Sequence, residues 1–123
     1  MCFLILRRTI TKKSIDFINI KKDMPPVNEA MVMLKCKINR CRQNNVRCLC
    51  IVHGYGSKNV GGAIRVSVRK WLIAQLKNGK IKAVVFGEEF NVFNETVRKL
   101  IINYAGFEDL LHSCNHGVTV IVL

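Results

Sequence analysis

Hydrophobic positions along the chain change period several times, and each change marks an element. "SIDFINI" (Ser14 to Ile20) is rich in β-formers and predicts a first strand. "KKDMPP" breaks it, and Pro25 and Pro26 suit a helix start, with Glu29 in the first turn favoured by the helix dipole. Val27, Met31, Leu34, Ile38 and Cys41 then recur at steps of four and three, one stripe of an amphipathic helix that "QNN" ends. "VRCLCIV" (Val46 to Val52) is a nearly continuous apolar run, the pattern of a strand buried on both faces. Ile64, Val68, Leu72 and Leu76 mark a second helix, terminated by "KNGK". "IKAVVF" (Ile81 to Phe86) predicts a third strand. Phe93, Val97, Leu100 and Tyr104 predict a shorter third helix, and "GVTVIVL" (Gly117 to Leu123) a last strand. The order β-α-β-α-β-α-β argues for an α/β domain with a mostly parallel or mixed sheet. Residues 1–13 form a basic tail and 14–123 a single domain, with no internal repeat.

Half of the 123 residues are hydrophobic, enough for a core and too many for a disordered chain. Twenty Lys and Arg against eight Asp and Glu leave a net charge of +12. That surplus points to an anionic partner such as nucleic acid or the ribosome. No apolar run is long enough to span a membrane, and Phe3 to Leu6 is too short for a secretory core, so the expected location is cytoplasmic. Six cysteines then read as reduced thiols. Cys48 and Cys50, with His53 behind them, could ligate a metal, but alternating cysteines in an apolar strand read first as small buried side chains.

The candidate chemistry lies in "HGYGSKNVGGAIRVSVRKWL" (His53 to Leu72), where four glycines fall within nine residues between a strand and a helix. A Walker A loop is excluded because Gly62 and Ala63 stand where Lys and a hydroxyl residue are required. The dinucleotide fingerprint fails at Asn59. What remains is a general anion site: free backbone N–H groups and a positive dipole end aimed at one spot. Gly54, Gly56, Gly61 and Gly62 allow close approach, Ser57 and Lys58 lie in the loop, and Arg65 and Arg69 share a helix face. His53, at the strand end, could contact phosphate or act as general acid or base.

These residues resemble the Smr (small MutS-related) domain, whose signature has the form His-Gly-x-Gly. Ile64–Arg65, Trp71–Leu72 and a final Gly117-x-Thr119-x-x-x-Leu123 stand in the family's further positions, over residues 15 to 123. The resemblance implies a two-layer α/β sandwich with a mixed sheet, similar to the C-terminal domain of translation initiation factor three. It also implies DNA or RNA binding, with endonuclease activity in several members. Mg or Mn would be the cofactor of an active nuclease.

Two departures stand out. The family's first motif has Asp where Ile18-Asn19-Ile20-Lys21 places Asn19, so the catalytic positions His53 and Asn19 lack a titratable acid. Lys21 falls beside them as a phosphate contact. The segment 87–116 is longer than a minimal domain needs and carries His112 and His116. Phe90 and Phe93 in it read as core, and Glu88 and Glu89 as a solvated turn that supplies carboxylates if it folds back over the site. Three functions compete: a nucleic-acid-binding domain with weak or conditional endonuclease activity, a non-catalytic RNA- or ribosome-binding module using the same loop and helix, and a small-molecule phosphate binder. The charge outside the loop counts against the third.

Overall fold

The structure, a computed structural model, describes residues 13–23, 25–54, 61–91, 93–108 and 117–123. Its elements are β1 (Asp16–Asn19), α1 (Val27–Gln43), β2 (Cys48–Val52), α2 (Gly61–Lys77), β3 (Ala83–Phe86), a 3-10 turn (Gly87–Glu89), α3 (Glu95–Asn103) and β4 (Val118–Val122). The expected order of elements is therefore the observed one. The strands are shorter than expected, although flanking residues keep single ladder bonds: Ile20 N–H donates to the Val52 carbonyl, Lys82 N–H to that of Val122 and Leu123 N–H to that of Arg47.

The sheet order is β1-β2-β4-β3. β1 runs parallel to β2, and β4 is antiparallel to both β2 and β3, giving the expected mixed sheet. β2 and β3 consequently point the same way with β4 between them. The C-terminal ends of β1, β2 and β3 and the N-terminal end of β4 all meet at one end of the sheet.

Side chains alternate across the sheet, and both faces are covered. Ile18, Leu49, Ile51, Val84 and Ile121 pack with α1 and α2, the expected two-layer sandwich of sheet and helices. Cys48, Cys50, Val85 and Val120 point the other way, against Val97 and Leu100 of α3 and against Tyr104 and Phe107 beyond its end. The segment after β3 thus adds a cover on the second face, which explains the continuous apolar run of β2. Desolvation in this layer pushes the thiols of Cys48 and Cys50 up to about 12, so they behave as small hydrophobes.

α1 buries Ala30, Leu34, Ile38 and Cys41, with Val27 and Met31 half-covered at the stripe's margin. It stops where Asn45 takes a left-handed φ of 60°, a conformation asparagine tolerates. α2 buries Ile64, Val68 and Leu72, and Trp71 packs beside them under the Lys35 ammonium, 5.5 Å from the ring centroid. Leu76 is exposed, contrary to the expected stripe. A 17-residue helix is about 25 Å long and a five-residue strand about 17 Å, so the last helical turn overhangs the sheet. Phe93 also departs from expectation: it is 86% exposed, whereas Phe90 packs against Phe107 with centroids 5.8 Å apart. Asn94 caps α3 by accepting from the Val97 N–H at 3.1 Å, which leaves Phe93 outside the helix.

Candidate functional site

β2 ends at Val52, and the next residue, His53, continues the strand's alternation onto the face covered by α2. Its ring is fully buried. Nδ1 lies 3.0 Å from the Gly54 carbonyl, which can only accept, so Nδ1 carries the proton. Nε2 is then an acceptor for the Thr119 hydroxyl at 2.8 Å. The backbone is tied as well: the N–H groups of His53 and Gly54 both donate to the Gly117 carbonyl, at 2.9 and 3.1 Å. Gly117 and Thr119 of the final-strand motif thus both serve His53. Burial, with the charges of Arg65 and Arg69 adding to it, holds the imidazole below its ordinary pKa against smaller opposing pulls from the Gly54 carbonyl and Glu88. The ring is neutral near pH 7, with neither nitrogen free to pass a proton to a substrate.

Gly54 needs to be glycine. Its φ is +86°, and a Cβ there would come within 3.2 Å of the Lys21 side chain, whose stem lies beside Gly54. Lys21, expected as a phosphate contact, thus lies beside Gly54.

Asn19 is not brought to His53 in the way a catalytic pair requires. It pairs in register with Val52, next to His53 in the chain, and so belongs to the opposite face. Its exposed side-chain oxygen accepts from the N–H groups of Lys21 and Lys22, at 3.0 and 3.1 Å, and closes the turn after β1. Gly56, Ser57 and Lys58 lie outside the described residues. Gly61 and Gly62 form the first turn of α2, which holds no acidic residue to offset the positive end of the helix.

Arg65 and Arg69, one turn apart on α2, converge on Glu88 just past β3. Arg69 donates from Nη2 to Glu88 Oε1, and Arg65 Nη2 stands 4.0 Å from the same oxygen. The Arg69 guanidinium also lies 4.3 Å from the centroid of the Phe86 ring. Arg69, foremost by its hydrogen bond, holds the Glu88 carboxyl down at about 2, so Glu88 is an anion throughout the physiological range. The pair expected to be free for phosphate is thus partly neutralised from within. Yet Nε of each arginine is buried without a hydrogen-bond partner among the described residues.

Sequence reasoning passed over Thr119 as a partner of His53 and left Glu88 undecided. The signal for Thr119 was a lone hydroxyl at an inward position of an apolar strand. Glu88 carried none, because its position depends on how the chain turns after β3. A Mg or Mn site of the kind an active nuclease would use does not fit the described residues. Such an ion wants several free oxygen donors, but Glu88 is spent on two arginines and the Asn19 amide oxygen on two backbone donors. Among the described residues no group of three His, Cys, Asp or Glu could hold a metal, and no helix is long and apolar enough to cross a membrane.

Known proteins bear on this arrangement in three ways. The structure is similar to the crystal structure of the Smr domain of Thermus thermophilus MutS2, with a TM-score of 0.54 and 18% identity, covering 88% of this chain and 96% of that one. Comparison with curated proteins finds no match. The model of the Smr domain family matches residues 24–89, from just before α1 through Glu88 and Glu89. More than half of the chain is spanned by that match, and it holds His53, Gly54, the glycines opening α2 and both arginines: the chain belongs to the Smr domain family, which is generally linked to nucleic-acid binding and nicking.

Proposed function

We propose that this Smr domain is a nucleic-acid-binding module that grips the phosphate backbone at the end of the sheet where β1, β2 and β3 finish. The observation that carries this reading is the state of His53. A ring that is fully buried, neutral and bonded through both nitrogens acts as a strut that ties the end of β2 to β4. Phosphate contacts come from Lys21, Gly54, Gly61, Gly62, Arg65 and Arg69, with Gly56, Ser57 and Lys58 completing the loop. The exposed Phe93 ring follows β3 at the same end and offers an apolar face to an unpaired base. The charge of +12 makes DNA or RNA a better partner than a small phosphate.

The test is fluorescence anisotropy with labelled RNA hairpin, single strand and duplex DNA across a salt series, beside a nicking assay on supercoiled DNA with and without Mg²⁺ or Mn²⁺. Binding is expected to weaken steeply with salt, and nicked circles to stay at the level of a protein-free control. The endonuclease reading is favoured instead by efficient nicking that disappears in a folded His53→Gln variant.

A further inference from the structure

The arrangement of Arg65, Arg69 and Glu88 resembles an anion site that already holds an anion. Two like charges one helical turn apart repel unless something negative lies between them. Here that is a single carboxylate oxygen, Glu88 Oε1, which faces Nη2 of both arginines. The match is incomplete, because the two Nε–H groups are buried and unpaired among the described residues. A carboxylate reaching in from the side satisfies one edge of the Arg69 guanidinium and leaves that of Arg65 at ion-pair distance only. A phosphate, with oxygens in a tetrahedron, can engage the Nε and Nη2 hydrogens of both forks. The Phe86 ring beneath Arg69 keeps that guanidinium in place when its partner leaves. Glu88 itself is more than one-third exposed and sits in a short turn, so its side chain can swing into solvent with α2 and β3 unmoved.

We propose that Glu88 is an internal counter-anion occupying the phosphate position between Arg65 and Arg69, which a backbone phosphate must displace in order to bind. This rests on the nucleic-acid-binding reading above. The device keeps both guanidinium groups aligned while the protein is empty. It also lowers affinity for isolated anions, since a lone phosphate competes with a tethered carboxylate, while a polymer brings neighbouring charges that help displace it. Glu88 stays ionised from pH 5 to 8, so displacement by another anion, rather than protonation, opens the site.

The experiment compares wild type with Glu88→Gln and Glu95→Gln by anisotropy on a labelled single-stranded RNA at several salt concentrations. Glu95 pairs with Lys99 on α3, far along the chain from the arginines, and its substitution makes the same change in net charge. Glu88→Gln is expected to bind about 3- to 10-fold tighter at low salt, the effect of removing one partly exposed ion-pair partner, with the gain fading as salt rises. Glu95→Gln should change affinity less than about 2-fold. In wild type, titration with inorganic phosphate or RNA should shift the Arg65 and Arg69 Nε–H signals in nitrogen-edited NMR. Weaker binding by Glu88→Gln overturns the proposal, because Glu88 would then be a positioning residue; so does a gain matched by Glu95→Gln. Salt-sensitive binding by wild type with no gain in Glu88→Gln refutes the counter-anion and leaves the binding module standing. Absence of any nucleic-acid binding in all three proteins removes both.

Discussion

His53→Ala separates a strut from a catalyst. The substitution removes a fully buried ring, its bond to the Gly54 carbonyl and its bond to the Thr119 hydroxyl. Emptying a buried site of this size costs about 2–4 kcal/mol by analogy with large-to-small core changes. The abandoned Thr119 and Gly54 groups add about 1 kcal/mol each where water does not replace the ring. The expected loss is therefore about 4–6 kcal/mol, a large share of the roughly 5–15 kcal/mol that keeps a domain of this size folded. Thermal unfolding followed by circular dichroism should show Tm falling by about 10–20 °C. His53→Gln should fall less, because its amide can still reach Thr119 while losing the link to Gly54. Nucleic-acid affinity, corrected for the folded fraction, should drop only as far as the β2–α2 loop loosens. A His53→Ala protein that melts within about 3 °C of wild type would refute the strut and return His53 to the surface chemistry of the site.

Gly54→Ala should lower stability by about 1–2 kcal/mol in denaturant titration, from the positive φ and the crowding of Lys21; an unchanged midpoint would mean that the loop rearranges freely. Asn19→Asp keeps an acceptor for the Lys21 and Lys22 N–H groups and should hold Tm, while Asn19→Ala should cost about 1 kcal/mol; added Mn²⁺ should not make Asn19→Asp a nuclease, since that side chain belongs to the sheet face away from His53. Phe93→Ala should leave Tm unchanged because the ring touches solvent, and should weaken single-stranded more than duplex binding, by about 1–3 kcal/mol per stacked base; equal loss on both would exclude stacking. On acidification, Tm should begin to fall below pH 6.5, because His53 binds its proton more readily unfolded than folded, and fall again below pH 4.5, where the depressed carboxyls of Glu88 and Asp16 lose their partners; Tm rising between pH 7 and 5 would contradict the His53 geometry.

The parts of the fold legible in the sequence were those decided by local period. The buried stripes of α1 and α2 and the continuous run of β2 needed only neighbours within a few residues. Phe93 misled because its spacing to Val97 is helical, yet Asn94 is a better cap than Phe93 is a core residue, and the cap set the boundary. Leu76 misled for a different reason: period says which face a residue takes, and nothing about how far the sheet extends beneath it. Within the site, the His-Gly signature marked the end of β2, and the packing of the Lys21 stem beside Gly54 was not legible in it. The role of His53 was hidden because Thr119 lies 66 residues away, and a histidine at a strand end looks alike whether its nitrogens face water or a hydroxyl. Arg65 and Arg69 were placed on the right face, but their charge depends on Glu88, which only the chain's turn after β3 brings to them.

That internal pairing changes how the charge surplus should be understood. Two arginines and one glutamate leave the cluster a single positive charge, against +12 for the whole chain. Elsewhere among the described residues, Asp16 is taken by Lys37 and Glu95 by Lys99, which removes two more acids from any role in offsetting the remaining cations. A pocket designed by sequence for one small phosphate would concentrate its positive charge where the ligand sits. Here most of the surplus lies outside the cluster of Arg65, Arg69 and Glu88, which carries one positive charge. Such a distribution suits a ligand that is itself extended and repeatedly charged. The central contact then sets where the strand lies, while the outlying lysines and arginines supply the salt-dependent affinity through the counterions they release.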